Sequence, residues 1–333
     1  MSSKDEKLDR AIGAIVGSAI GDTFGAPLEF KQPRPFHQWQ REITGGGSFN
    51  WRKGEITDDT IMANGITQMY LREGRYHQHT VVREWLNWLS RGPKDIGSWT
   101  ASALYEWRKL IGPASSAWDR HGIRDDYHPA IKLWKARGLQ DAGNGGVMRC
   151  VPTALAVPRQ RDRMRETRWL CEDTHPDPRC IWSCIAVVET CALLIQNPSY
   201  HVMSSIAHLF DAKPQGFDIP WIAQKQAFLN ETLDAVEKCH RPWEEWSNSG
   251  YTIGTINSAF NALEQAESFE DGLVQVVNRG NDADSVGAVA GAMLGAKFGF
   301  SNIPSRWFNA LEDHDMYVEN AKNLFLNIRS KRQ

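Results

Sequence analysis

The sequence predicts an all-α protein that forms a single compact domain of many helices. Apolar residues recur at spacings of three and four along most of the chain, which is the period of a helix that faces a core. Alternating apolar and polar residues, the pattern of a half-buried strand, are scarce. No low-complexity linker divides the 333 residues, so we expect one large domain although the length also allows two.

The predicted helices follow one another along the whole chain. We expect residues 1–10 to form an N-terminal extension and residues 11–330 to form the domain. Thr57 has the side chain of an N-cap for the second helix, and Gly, Pro and Asn clusters mark the loops. The apolar spacing places helices over residues 8–24, 58–73, 81–89, 98–110, 129–135, 180–195, 202–210, 221–239, 252–266, 269–277, 285–298 and 307–328.

Two of these helices carry the same glycine pattern. Residues 13–25 and 287–299 share six of 13 positions, and four of the six are glycines that recur every fourth residue. Such a stripe gives a helix a smooth face that another backbone can approach closely. Because glycine inside a helix costs about 1 kcal/mol relative to alanine, the pattern needs a reason. We expect both helices to be central and tightly packed, either on each other or on separate neighbours.

Composition excludes several classes of protein. The 38 basic and 40 acidic residues give a net charge of −2, so the totals show no footprint for nucleic acid or an anionic membrane. The longest apolar runs, residues 185–195 and 287–296, are shorter than the roughly 18 residues of a membrane span. The six cysteines lack zinc spacing, and the N-terminus lacks a secretory core. We therefore expect buried free thiols in a soluble, cytoplasmic protein.

Two acidic clusters stand directly before predicted helices. The first is Thr57-Asp58-Asp59 and the second is Asp282-Ala283-Asp284-Ser285. Each cluster alone is explained by helix capping, because carboxylates and hydroxyls are stabilising at a helix N-terminus. As a matched pair, one of them beside a glycine-striped helix, they resemble two halves of an oxygen-only metal site. Carboxylate and hydroxyl oxygens suit Mg²⁺ or Mn²⁺, and four carboxylates would neutralise two divalent ions.

Four further features carry a functional and a structural interpretation each. The segment Gly143-Asn144-Gly145-Gly146-Val147-Met148 would let backbone N–H groups approach a diphosphate, or simply form a tight turn. His175 would contact a ligand or fill the core. Asp95 would act in chemistry or cap the next helix. Glu29 would face a site or stand as an exposed loop carboxylate.

These motifs, in this order, resemble the ADP-ribosylglycohydrolase family. The resemblance spans residues 10–310 and is specific only as an ordered combination. Its matching text is Gly17-x3-Gly21-Asp22-x2-Gly25-Ala26-x2-Glu29, Thr57-Asp58-Asp59-Thr60, Pro93-x-Asp95-Ile96-Gly97, Gly143-Asn144-Gly145-Gly146-x-Met148-Arg149, Thr174-His175-x-Asp177 and Gly280-Asn281-Asp282-Ala283-Asp284-Ser285.

The resemblance implies an all-α fold around a central cleft that holds two Mg²⁺ or Mn²⁺ ions. The metal ligands it implies are Thr57, Asp58, Asp59, Asp282, Asp284 and Ser285, with serine where the family usually has threonine. The substrate-binding residues it implies are Gly143, Asn144, Gly145, Gly146, Met148 and His175. Glu29 corresponds to a flap carboxylate in some relatives, and the Asp95 segment supplies a candidate acid or base.

The expected activity is hydrolysis of the bond between ADP-ribose and a modified protein side chain, with arginine as the favoured linkage. A water activated at the metal centre would attack the anomeric carbon, and Asp58 or Asp59 would accept its proton. We expect a monomer whose partners are an ADP-ribosylated protein and a cognate ADP-ribosyltransferase, as in regulation or toxin immunity.

Three alternatives remain open from the residues. One is a binding protein that blocks a transferase through residues 1–10, 111–128 or 211–220. Another is a hydrolase of serine-linked or small-molecule ADP-ribose. The third is a dimetal phosphoesterase that acts on another nucleotide.

Overall fold

The computed structural model describes residues 3–111, 128–200, 206, 225–237, 241–246 and 248–332. Over these residues the protein is built of helices and carries no β-strand, only isolated bridges between Gly46 and Trp51 and between Gly143 and Tyr251. The α-helices are α1 (Ser3–Gly25), α2 (Asp58–Glu73), α3 (Gln78–Leu89), α4 (Ser98–Ile111), α5 (Pro129–Ala136), α6 (Pro152–Ala156), α7 (Gln160–Glu172), α8 (Pro178–Gln196), α9 (Lys225–Glu237), α10 (Thr252–Gln265), α11 (Phe269–Val277), α12 (Ala283–Phe298), α13 (Ser305–Phe308) and α14 (His314–Lys322).

The glycine-striped helices α1 and α12 pack on each other, as the sequence allowed. They run antiparallel at backbone contact: a Cβ added to Gly17 would lie within 3.0 Å of the Gly291 carbonyl, and one added to Gly21 would lie as close to Gly287. Steric exclusion of any side chain explains why glycine recurs every fourth residue. Helices α8, α10 and α11 pack around α12 and complete the core.

The antiparallel pairing decides where the acidic segments meet. It brings the end of α1 beside the start of α12, since a Cβ on Gly25 would contact the Ala283 carbonyl. The loop before α12 is tied to the chain that leaves α1: the Phe30 N–H donates to the Asn281 carbonyl at 2.7 Å, and the Asn281 N–H donates to the Lys31 carbonyl at 2.8 Å. Segments from both ends of the sequence thus form one side of the site.

The predicted helices are confirmed over most of their length, with differences that have physical causes. The helix predicted over 307–328 is confirmed only in its second part. The chain turns after α13, where the Glu312 N–H bonds the Gly54 carbonyl at 3.0 Å, and then forms α14 and a π-helix over Asn323–Ile328. Helix α7 was missed because its buried face is charged. Arg163 on that face forms a buried ion pair with Glu189, so the apolar period is lost.

The ends of the predictions differ in other ways. Helix α1 begins at Ser3, so most of the residues predicted as an N-terminal extension are its first turns. The helix predicted over 202–210 lies outside the described residues except for residue 206, and so do 112–127 and 211–220 of the proposed transferase contacts.

The cysteines and the longest apolar helices are buried in the core. Cys150, Cys171, Cys180, Cys184 and Cys191 are free thiols, as predicted, and Cys239 lies outside the described residues. Helix α8 and the helical stretch Lys4–Leu28 are long and apolar enough to span a membrane, by length and composition only. Their most apolar 18-residue stretches are 89% and 100% buried inside the protein, as in the core helices of a globular domain.

Candidate active site

A cleft of about 890 Å³ opens at the meeting point of α1, α2 and α12. Nearly all the site residues predicted from the sequence line it: Glu29, Asp58, Asp59, Asp95, Gly143, Asn144, Gly145, Met148, His175, Asp282, Asp284 and Ser285. Two predicted residues lie behind the wall. Thr57 is fully buried, and a Cβ on Gly146 would point at the Cys171 thiol at 2.9 Å.

The start of α2 fixes the first acidic cluster. Thr57 is the N-cap, and its hydroxyl donates to Asp59 Oδ2 at 3.2 Å while it accepts the Asp59 N–H at 3.4 Å. Below it, Asp22 of α1 accepts the N–H groups of Thr57 and Thr60 at 3.1 and 3.2 Å. Asp22 satisfies backbone donors that a helix start leaves unpaired. The carboxylates of Asp58 and Asp59 are therefore not needed to satisfy these donors, and both residues line the cleft.

The start of α12 presents the second cluster. Asp284 Oδ1 accepts the Ser285 N–H at 2.9 Å, and Asp282 Oδ2 accepts the Asn144 side-chain amide at 2.7 Å. The turn before it depends on Gly280, whose backbone has a φ of +64°. A Cβ at this position would also lie within 3.0 Å of the Lys31 carbonyl oxygen. This turn lets the loop approach the segment that carries Glu29.

Three carboxylates from distant segments converge in the cleft. One oxygen each of Glu29, Asp95 and Asp284 lies within 4.8 Å of the other two. Burial, followed by the charges of Asp95, Asp282, Asp58 and Asp22, raises the pKa of Glu29 to about 9. Burial and the charge of Asp95 likewise raise the pKa of Asp58 to about 8. The cluster therefore combines Asp284, predicted as a metal ligand, with Glu29 and Asp95, predicted as catalytic residues.

This donor set fits hard divalent cations. Glu29 Oε2 and Asp59 Oδ1 are buried and have no hydrogen-bond partner among the described residues. Buried carboxylates that repel one another are costly unless a cation or protons neutralise them. Oxygen-only donors of this kind are the ligands of Mg²⁺ and Mn²⁺. Binding of such an ion would satisfy the unpaired oxygens and relieve the repulsion.

We expect the cation-free protein to lose stability as the pH rises. The folded state raises the pKa of Glu29 from its ordinary 4.5 to about 9, so between these values it holds a proton that the unfolded chain releases. The stability of the folded state therefore does not change below pH 4.5, and it falls progressively between pH 4.5 and about 9. Calorimetry with a chelator measures the fall in melting temperature, and Mg²⁺ or Mn²⁺ should reverse it. A pH-independent melting temperature over this window would show that the carboxyls are not crowded.

The glycine segment forms the opposite wall as a 3-10 helix over Asn144–Arg149. His175 lies against it, since a Cβ on Gly145 would be 2.9 Å from His175 Nε2. Glycine there leaves the imidazole room to reach the cleft. The wall also contains Trp99, whose indole N–H donates to the Thr174 carbonyl at 2.7 Å.

Hydrogen bonds connect His175 to Thr174 and Arg149. The Arg149 guanidinium donates to the Thr174 hydroxyl, which lies 2.7 Å from His175 Nδ1. A guanidinium only donates, so the Thr174 hydroxyl accepts from Arg149, and we assign its own hydrogen to the bond with Nδ1. Burial, and then the Arg149 charge, lower the pKa of His175 well below its usual value. In this assignment the imidazole is neutral and carries its proton on Nε2, beside the glycine wall.

Sequence reasoning missed several residues of the site. Asp22 and Gly97 stood in the quoted motifs without a role, yet Asp22 holds the start of α2 and the Gly97 N–H bonds Asp58. Phe30, Trp99, Thr100 and residues 248–250 also line the cleft. No spacing rule reveals such residues, because contacts between segments far apart in the chain place them at the cleft.

Comparisons with known proteins agree with this geometry. The chain matches the ADP-ribosylglycohydrolase family over residues 3–333. It is 30% identical over 331 residues to ADP-ribosylarginine hydrolase Tri1 of Serratia proteamaculans, an alignment that covers 97% of this chain and 80% of that one. It is 29% identical to the ADP-ribosyl-[dinitrogen reductase] glycohydrolase of Rhodospirillum rubrum, with 93% and 92% of the two chains covered.

A solved structure has the same fold. An ADP-ribosylglycohydrolase-related protein complex aligns with a TM-score of 0.75 and 25% identity, covering 96% of this chain and 98% of that one. The family match spans nearly the whole chain, and the resemblance seen in the motifs is confirmed. This chain belongs to the ADP-ribosylglycohydrolase family and is an enzyme of the hydrolase class.

Proposed function

We propose that the protein removes ADP-ribose from arginine side chains of modified proteins. The convergence of Glu29, Asp95 and Asp284 beside the glycine wall is the observation that carries the proposal. Candidate metal ligands and the glycine wall line one cleft of about 890 Å³, which supports a substrate of the size of ADP-ribose. The names of the two enzymes from Serratia and Rhodospirillum support a protein-linked substrate, and the first supports arginine.

The reaction exchanges one bond at the anomeric carbon of the ribose. A water oxygen forms the new C–O bond while the C–N bond to the arginine guanidine breaks. We assign the role of proton acceptor to Asp58 or Asp59, because both line the cleft. The departing guanidine takes up a proton and leaves as guanidinium.

The proposed metal ligands are Thr57, Asp58, Asp59, Asp282, Asp284 and Ser285, and the geometry adds Glu29 and Asp95 as neighbours. Divalent cations bound there would supply electrostatic stabilisation and activate a nucleophile at neutral pH. The protein holds the ligand oxygens at fixed positions. Asp22 bonds the start of α2, and the Thr57 hydroxyl bonds Asp59, so the carboxylates of α2 are held in place.

The decisive experiment is a turnover assay on peptides with arginine-linked or serine-linked ADP-ribose. The purified protein should release ADP-ribose from the arginine-linked peptide with Mg²⁺ or Mn²⁺ present and lose that activity with a chelator. Preference for the serine linkage would replace arginine as the substrate. Cleavage of the diphosphate instead would favour a phosphoesterase.

We expect Thr174→Val to weaken the binding of ADP-ribose about tenfold. We assign the His175 Nε2–H as a donor to the ligand, and valine removes the hydroxyl that fixes this proton. One lost hydrogen bond is worth about 1–1.5 kcal/mol. Calorimetric titration with ADP-ribose measures the affinity, and ¹⁵N NMR of the imidazole reports the tautomer. Thr174→Ser keeps the hydroxyl and should behave as the parent. Unchanged affinity in the valine variant, despite a changed tautomer, would remove His175 from the binding site.

We further propose that a cognate ADP-ribosyltransferase supplies the substrate, because a hydrolase of this kind needs a modified target. Co-expression of this hydrolase with the transferase tests whether the two proteins serve regulation or toxin immunity. Rescue of cells from a toxic transferase would indicate immunity. The buried free thiols support a reducing, cytoplasmic setting. We propose a monomer, which light scattering tests.

A further inference from the structure

Phe30 is an exposed aromatic residue at the wall of the cleft. Phe30 follows Glu29 directly in the sequence, and both residues line the cleft. The Phe30 residue is 64% exposed. Its backbone has a φ of +60°, a strained left-handed conformation that bulky residues rarely adopt. A residue that is both strained and exposed contributes little to the core. Such positions cluster at ligand sites, where the strain fixes a side chain in place.

The surrounding chain holds Phe30 in this conformation. The Phe30 N–H donates to the Asn281 carbonyl at 2.7 Å, and the next residue, Lys31, accepts the Asn281 N–H at 2.8 Å. The ring itself meets Phe49 edge-on, with centroids 6.1 Å apart, and Phe49 in turn packs on Trp51 at 5.9 Å. The loop that carries Asp282 thus holds the backbone at Phe30, and Phe49 contacts the ring.

The acidic lining of the cleft selects what such a ring would bind. Glu29, Asp95 and Asp282 line the same cleft as Phe30 and offer carboxyl oxygens that accept hydrogen bonds. A guanidinium is planar, cationic and weakly hydrated, and it stacks on aromatic faces while it pairs with carboxylates. An aromatic ring among carboxylates is therefore complementary to an arginine side chain.

We infer that Phe30 determines linkage specificity by stacking on the guanidinium of the ADP-ribosylated arginine. The inference rests on the proposed function and names the residue that recognises the leaving group. A serine-linked substrate has no cation to place on the ring and gains nothing from it. The ADP-ribose part of the substrate is bound elsewhere in the cleft, so its affinity does not depend on Phe30.

The test compares Phe30→Leu with Phe36→Leu. Leucine keeps the β-carbon, so it retains the backbone strain at position 30 and removes only the aromatic face. Phe36 is a matched control: it is 69% exposed, packs edge-on against Trp39 at 4.8 Å, and is not among the residues that line the cleft in the described structure. Phe30→Tyr retains an aromatic ring at the site.

We expect Phe30→Leu to lower kcat/KM for arginine-linked ADP-ribose about 3- to 30-fold, the range of a cation–π contact. Its affinity for free ADP-ribose and its melting temperature should match those of Phe36→Leu. Phe30→Tyr should retain the parent activity. If Phe30→Leu and Phe36→Leu are equally active, the inference is overturned. The same holds if Phe30→Leu weakens ADP-ribose binding as much as turnover.

Failure of the proposed function has a different signature. The parent protein would then release no ADP-ribose from the arginine-linked peptide, whatever stands at position 30. That result overturns the proposed function and this inference together. An active parent with an unaffected Phe30→Leu variant overturns the inference alone.

Discussion

Replacing Asp58 and Asp284 together by asparagine is expected to abolish turnover and, at the same time, to stabilise the cation-free protein. Each asparagine oxygen can still accept the backbone N–H that the carboxylate accepts, from Gly97 and Ser285 respectively. The local structure is therefore kept while two negative charges are removed. Loss of several kcal/mol of transition-state stabilisation corresponds to a rate reduced about 1000-fold or more.

The gain in stability follows from the same charges. Burial raises the pKa of both carboxyls above their ordinary values, and in each case neighbouring carboxylates raise it further, Asp95 for Asp58 and Asp282 for Asp284. Removing them relieves repulsion that the folded state bears in the absence of a cation. The melting temperature in chelator should rise, and its increase with Mg²⁺ or Mn²⁺ should shrink.

A matched control is Asp315→Asn, an exposed carboxylate whose side chain is 90% accessible. It should leave turnover and melting temperature at the parent values. Parent-level turnover in the double variant would rule out a catalytic metal centre at this site. A lower melting temperature in chelator would mean that the two carboxylates stabilise the fold through contacts other than a bound cation.

The second large effect is expected at the helix pair. Gly291→Ala should destabilise the protein by more than about 4 kcal/mol or prevent folding, which is the range of a severe core defect. A Cβ at Gly291 would lie within 3.0 Å of the Gly17 carbonyl, and backbone atoms cannot rotate away as side chains do. Relief requires α1 and α12 to separate along their length, which loses packing throughout the core. Urea unfolding measures the free-energy change.

Gly138→Ala controls for the loss of glycine itself. Gly138 lies in a loop with a φ of +81°, and a Cβ there would have open space around it. It should cost about 1 kcal/mol, the penalty of a left-handed backbone in an L-residue. Equal unfolding free energies for the two variants would show that close helix contact does not explain the glycine stripe.

The sequence predicted the helical fold because periodicity is local. Helices α2 and α11 begin and end at the predicted residues, since Thr57 and Ser268 cap them and Gly74 ends α2. Local rules failed where tertiary contacts decide. Helix α7 buries an ion pair in place of apolar residues, and the chain after α13 turns because of a bond to the distant Gly54.

The ordered motifs predicted most of the residues that line the cleft and the family to which the chain belongs. Only the tertiary structure decided how they come together. Glycine-on-glycine packing of α1 and α12 sets the distance between Asp22, Glu29 and Asp284, and the Asn281 bonds fix Phe30 at the wall. Sequence spacing encodes the period of a helix but carries no information on which helices meet. Contact between backbones far apart in the chain supplies that information, and it creates the carboxylate cluster that the sequence could show only as separate pieces.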